Sequence, residues 1–316
     1  MNKNERQKES NFVSAIIYLH SDSSNAESFL EMVYDTLNNN FKHFEMICVD
    51  DCCAPAAIAS VQAFGEKKNG MELTVIHTGK YQGLEKAMIA GMNFAIGDYV
   101  FEFDSVYADF EPQLIIDVYR KALNGNDIVS ASPSNKTHGS SKLFYRIFNR
   151  YSNISYPIYT ERFRVVSRRA INRINDVNKK IIYRKVAYAS SGLKNDRIVY
   201  TPISVDVAAC SKVQNRERWN VGIDALVLFT NVAFNFSLSC SVLLSVFSLC
   251  VIVYTVGVFI LGMPIEGWTT TMLLISVAFL GLFVVLTCLT KYLSLIIRLQ
   301  VSRREYTFES IEKVSK

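Results

Sequence analysis

Over the first 130 residues, short apolar runs alternate with longer amphipathic ones. Residues 12–18 (FVSAIIY), 44–49 (FEMICV), 73–77 (LTVIH), 99–104 (YVFEFD) and 127–130 (DIVS) read as strands. Each is a brief run rich in aliphatic, β-branched or aromatic residues, bounded by polar or turn-forming ones. Between them, residues 27–37, 56–64, 83–95 and 114–123 read as helices, with Ser24 or Asn25 available to cap the first. Ala87, Ala90 and Gly91 give the third helix a small-residue face that could lie close to a sheet. Strands alternating with helices predict βαβ units and a mostly parallel sheet.

Beyond residue 130 the pattern changes. Residues 141–150 (SKLFYRIFNR) predict an amphipathic helix. Leu143, Phe144, Ile147 and Phe148 share one face, and Lys142, Arg146 and Arg150 another. This is either a surface helix packed on the domain or a helix lying in a membrane interface. In residues 163–169, Arg164 and Arg168 stand at i and i+4. They bracket a phosphate if the segment is helical, or are solvated.

Residues 236–261 and 269–290 carry no charge, and each is long enough to span the roughly 30 Å hydrocarbon core of a bilayer. Residues 262–267 form the turn between them, with Trp268 at an interfacial position and Glu266 the single acid of the region. Arg216 and Arg218 precede the first span; Lys291, Arg298, Arg303 and Arg304 follow the second. The positive-inside rule then puts both ends in the cytoplasm, with the hairpin in the inner (plasma) membrane. The expected division is a flexible start (1–11), an α/β domain (12–215), a juxtamembrane interface helix (216–235), a transmembrane hairpin (236–290) and a cytoplasmic tail (291–316).

Composition sharpens this picture only slightly. The 316 residues are 50% hydrophobic with a net charge of +5 and a mean hydropathy of +0.15. The charge suits lipid headgroups or phosphates weakly; no nucleic-acid partner is expected, and a homo-oligomer is compatible. Seven cysteines without a C-x-x-C pair fit reduced thiols. The polar, charged residues 1–10 lead us to expect no signal peptide.

Two strands end in carboxylates, Asp50-Asp51 and Asp104. Parallel strands bring such ends to one edge of a sheet, where open α/β folds bind ligands. One group could take base or ribose donors and the other a metal bound to phosphate; the plainer reading of Asp104 is a loop cap. Neither G-x-G-x-x-G nor G-x-x-x-x-G-K-[ST] occurs, which disfavours a dinucleotide fold or a P-loop.

The order of segments resembles the family-2 glycosyltransferases that charge a polyprenyl phosphate, the dolichol-phosphate-mannose-synthase-like type with a two-helix anchor. Residues 13–22 resemble that family's opening strand and P-x-x-N-E turn, and residues 44–51 its Y-E-I-I-x-V-D-D. Residues 83–98 resemble its G-x-x-x-A-x-x-x-G-x-x-x-A-x-G-D helix, and residues 163–168 its F-R-L-x-S-R. Residues 291–306 resemble its closing E-Y-L-x-x-I-Y…R-P-x-Y.

The resemblance implies a GT-A-type fold and transfer of a sugar from a nucleotide sugar to undecaprenyl or another polyprenyl phosphate, in cell-envelope glycan (lipopolysaccharide or O-antigen) synthesis. Mg²⁺ or Mn²⁺ would be the cofactor, and membrane lipids would surround the anchor. By resemblance, Asp22, Asp50, Asp51, Lys80 and Gly83 hold the nucleotide sugar. Asp104 serves the metal and, with Asp109, catalysis. Arg164 and Arg168 hold the acceptor phosphate. The chain departs from the pattern at Val106, where the D-x-D motif has its second acid, at Ala108 and Arg162, and at Cys52-Cys53, where V-D-D-G-S has Gly-Ser. A weakened relative acting as a binding or assembly subunit, and a transferase using another acceptor, remain open alternatives.

Overall fold

The computed structural model describes residues 8–20, 25–68, 71–134, 139–152, 154–177, 183–203 and 310–313, together with scattered positions between 222 and 296. The chain divides into two compact units: residues 1–149 with 154–221 and 304–316, and residues 222–303 with 150–153.

In the first unit the expected alternation holds. It runs β1 (Val13–Leu19), α1 (Ala26–Asn40), β2 (Phe44–Asp50), α2 (Pro55–Lys67), β3 (Glu72–His77), α3 (Leu84–Phe94), β4 (Tyr99–Phe103), α4 (Gln113–Leu123) and β5 (Ile128–Pro133). There follow α5 (Gly139–Tyr151), β6 (Phe163–Ser167), α6 (Arg168–Val177), α7 (Arg184–Ser190), β7 (Asn195–Tyr200) and β8 (Ser310–Lys313). The strands form one eight-stranded sheet in the order β7-β5-β6-β4-β1-β2-β3-β8. β6 runs antiparallel to β4 and β5, and β8 antiparallel to β3; the other pairings are parallel.

Both faces of the sheet are covered, which is why its central strands are mostly apolar on both faces rather than at alternate positions. Val13, Ala15, Ile17 and Leu19 of β1 pack with α1, α2 and α4 on one side. Ile16 and Tyr18 point to α3, α6 and α7 on the other. The small face expected on α3 lies against the sheet: a Cβ on Gly91 would sit 2.5 Å from Ile16 Cγ2.

The structure adds detail at three places. Residues 163–167, open between a helical and a non-helical reading, are a strand; Val165 and Val166 are β-branched, and the segment completes the ladder between β4 and β5. The start is not loose throughout, because Glu9 exchanges backbone hydrogen bonds with Asn40 and Lys42. The tail is not wholly separate from the domain, because residues 310–313 pair with β3.

The spans expected at 236–261 and 269–290 lie almost wholly outside the described residues, and among the described residues no helix is long and apolar enough to cross a membrane. In the second unit, Leu282, Leu286, Leu289, Leu293 and Ile296 are helical and exposed. Their spacing of four and three residues puts them on one helical face.

Candidate active site at the carboxyl edge of the sheet

β1 separates β2 from β4, so Asp50 and the residue after β4, Asp104, stand at the same edge roughly 10 Å apart by strand spacing. This is the juxtaposition the sequence led us to expect. The edge divides into two ends with different chemistry.

At the β2 end, Asp51 is fully buried. Its carboxylate accepts from Tyr18 Oη (3.0 Å), Thr78 Oγ1 (3.1 Å), Gln82 N (2.8 Å) and Gly83 N (2.8 Å). Gly83 has φ 87° at the N-cap of α3, a left-handed conformation that glycine adopts at no steric cost. Asp51 therefore fixes the loop into α3. Asp50 accepts from Cys53 N at 2.8 Å through Oδ1, and its Oδ2 lies 2.8 Å from His77 Nδ1. His77 Nε2 lies 3.8 Å from Glu312 of β8. The rings of His20 and Tyr81 lie 4.6 Å apart beside this group. Lys80 is exposed on the same loop. Asp22 lies outside the described residues.

The turn after Asp51 shows the cost of one departure from the family pattern. Cys52 has φ 59°, the left-handed region, and stands where the motif has glycine. A side chain there costs about 1–2 kcal/mol.

At the β4 end, four carboxylates meet three cations. Asp104 Oδ1 accepts from Arg184 Nη2 at 2.7 Å and Asp104 Oδ2 from Arg164 Nη2 at 3.1 Å. Arg184 also donates to Glu102 (2.8 Å) and, through both Nε and its backbone N–H, to Glu85. Arg164 lies 3.5 Å from Glu102 and 3.2 Å from Glu161. Tyr188 Oη donates to Glu102 at 2.5 Å. Lys185 lies beside the group on α7. Arg184 and Glu102 are 0% exposed and Arg164 1%. Charges so buried are tolerable only when paired and hydrogen-bonded. Burial pushes the Asp104 carboxyl up, but the Arg184 and Arg164 guanidiniums outweigh it and hold the group well below the usual carboxylate range. Burial, with Glu102 beside it, raises the Tyr188 hydroxyl well above its usual value.

Arg164 thus stands beside Asp104 and is buried. The cavity it lines with Lys185, Tyr188 and Asn195 has a volume of about 20 Å³, room for about one water rather than a phosphate group. The structure does not bring Arg168 to the site. That residue follows the far end of β6, about 13 Å along the strand, and donates to the backbone carbonyls of Ala95 and Gly97. Asp109 is buried and held by Arg162, through two hydrogen bonds, and by Tyr200 Oη at 2.8 Å.

A two-carboxylate metal site does not fit these residues. Val106 is 6% exposed within the apolar core, both Asp104 oxygens are taken by guanidiniums, and Asp109 is engaged elsewhere. Among the described residues no group of three or more His, Cys, Asp or Glu side chains is placed to hold a metal ion.

Sequence reasoning missed Arg184, Glu102, Glu85, Glu161, Lys185 and Tyr188. One signal was available: Glu102 interrupts an otherwise apolar strand, and a charge in a central strand demands a buried partner.

The profile of Glycosyl transferase family 2 matches residues 15–175, half of the chain. An uncharacterized glycosyltransferase of Synechocystis sp. is 22% identical over 276 residues, 85% of this chain and 85% of that protein. The bactoprenol glucosyl transferase of Shigella phage SfV is 25% identical over 212 residues, 63% of this chain and 66% of that protein. A mannosyltransferase from Pyrobaculum calidifontis, solved in complex with GDP-Man and Mn²⁺, superposes with a TM-score of 0.51 at 14% identity, over 69% of this chain and 63% of that one. That likeness is one of fold.

Proposed function

Since the chain belongs to glycosyl transferase family 2, we propose that it moves a sugar from a nucleotide sugar to a polyprenyl phosphate. The carrying observation is the pair of acidic strand ends, Asp50-Asp51 and Asp104, on one edge of a family-2 sheet. The acceptor class is supported by the likeness to bactoprenol glucosyl transferases. In the proposed reaction an acceptor phosphate oxygen attacks the anomeric carbon. The new carbon–oxygen bond forms as the bond to the nucleoside diphosphate breaks, and the diphosphate departs as an anion. The acceptor is already charged, so the protein's work is positioning and charge stabilisation rather than strong base catalysis. Asp51 holds the loop that frames the donor, and Asp50 with His77 faces it. The rings of His20 and Tyr81, tilted by 38° to each other beside them, offer aromatic faces on which a base can stack.

The same proposal anchors the chain in the inner membrane through residues 236–290, with both ends cytoplasmic, in cell-envelope glycan synthesis. The uncharged runs support it, as does the exposed apolar face at Leu282, Leu286, Leu289, Leu293 and Ile296. In a cysteine-free background, a Cys placed in the 262–267 turn should react with an impermeant reagent added outside the cell, and one at residue 316 should not. The reverse pattern would overturn the orientation.

The test of activity is the purified full chain with undecaprenyl phosphate and a panel of nucleotide sugars, scored for a lipid-linked product. One donor should give product. Nucleotide binding without product from any donor would favour the second reading, a binding or assembly subunit, which the engagement of Asp104 by two arginines and the loss of an acid at Val106 make concrete.

A further inference from the structure

We infer that the positive charge beside Asp104 is supplied by the guanidinium of Arg184, with that of Arg164, and that donor binding by this chain needs no divalent metal. The inference rests on the nucleotide-sugar reading and concerns how the same site handles charge.

The argument begins with Arg184, a residue none of the sequence motifs includes. It is held on four counts: its backbone N–H and Nε by Glu85, Nη1 by Glu102, and Nη2 by Asp104. No part of it is exposed. This is a site built for a guanidinium, whose planar fork of donors matches carboxylates.

A divalent ion at Asp104 would need oxygen donors around it at short range. It would have to displace Arg184 from Oδ1 or Arg164 from Oδ2, leaving a fully buried guanidinium short of its anion. If it stayed beside them it would meet two like charges within a few ångströms. The other acids of the cluster offer no way out. Glu102, Glu85 and Glu161 each face Arg184 or Arg164, so drawing one toward a metal orphans the same arginines. The second motif position is the buried side chain of Val106. Asp104 is therefore a positioning residue that anchors two cations at the edge of the site.

The experiment uses the purified full chain in detergent and has two arms. In the first, Mn²⁺ alone is titrated and free Mn²⁺ is followed by electron paramagnetic resonance, for the wild type and Asp104→Asn. Superimposable curves are expected. One Mn²⁺ held per wild-type chain and lost in Asp104→Asn would overturn the inference, as would stoichiometric Mn²⁺ on the wild type should the variant fail to fold. In the second arm, UDP and GDP are titrated calorimetrically in EDTA and in Mn²⁺. Affinities within about twofold are expected; a loss of about tenfold or more in EDTA would overturn the inference. If neither nucleotide binds in either buffer, the nucleotide-sugar reading falls, and the Mn²⁺ arm still decides the question at Asp104.

Discussion

Two carboxylates at one sheet edge, the buried Asp51 and the partly buried Asp104, are held by different means. Asp51 accepts four hydrogen bonds from neutral donors, two of them backbone amides of the loop into α3. Asp104 is held by two guanidiniums that are themselves more deeply buried than it is. Neutral donors bring no compensating charge, and their bonds to one carboxyl group fix the loop geometry. Cations cancel the charge and convert it into dependence on partners far away in sequence. The β2 end is therefore a hydrogen-bonded loop that a departure in one side chain deforms locally. The β4 end is an interdependent cluster in which removing one member strands several.

The sharpest break in that comparison is Arg184→Met. It leaves the buried Glu102 and the partly buried Asp104 with one cation fewer, and a loss of about 3–5 kcal/mol in unfolding free energy is expected by denaturant titration. A double variant with Glu102→Gln should recover part of it, because the stranded charge is removed as well. The pH dependence sharpens the point. Asp104 has a folded pKa depressed below its unfolded value, so its contribution is fully present above the ordinary carboxylate range near pH 4 and is lost only as pH falls through the lower folded value. The difference in melting temperature between wild type and Asp104→Asn should stay level from pH 8 to about pH 5 and shrink only at stronger acidity.

At the other end, Asp51→Ala should cost about 2–3 kcal/mol, from buried donors left unsatisfied. It should weaken UDP or GDP binding by loosening residues 78–83, with no change in the Arg184 cluster. The smallest effect expected is a gain. Cys52→Gly relieves a left-handed residue and should stabilise the protein by about 1 kcal/mol, read as a higher melting temperature with unchanged nucleotide affinity.

Much of this architecture was legible in the chain. The five leading strands and four leading helices follow from apolar spacing, since burial on both faces of a parallel sheet leaves a strong local signature. The Asp50-Asp51 and Asp104 strand ends were legible for the same reason. The arginine cluster was not. Arg184 meets Glu102 across 82 residues and Asp104 across 80, and no local pattern encodes such partners. Residues 163–167 fell between two periods, because Arg164 and Arg168 share a side in a helix as well as in a strand; only the β-branched pair Val165-Val166 favoured the strand. Residues 310–313 are too few to announce themselves.

That last short strand has a consequence of parity. Residues 310–313 exchange ladder hydrogen bonds with β3, and β3 belongs to the sheet begun by residues 13–19. One hydrogen-bonded sheet cannot lie on two sides of a bilayer. If the proposed anchor lies between these segments, this pairing therefore requires its crossings to be even in number, whatever the charges at their flanks. A variant carrying one added span before residue 310 would have to surrender this pairing.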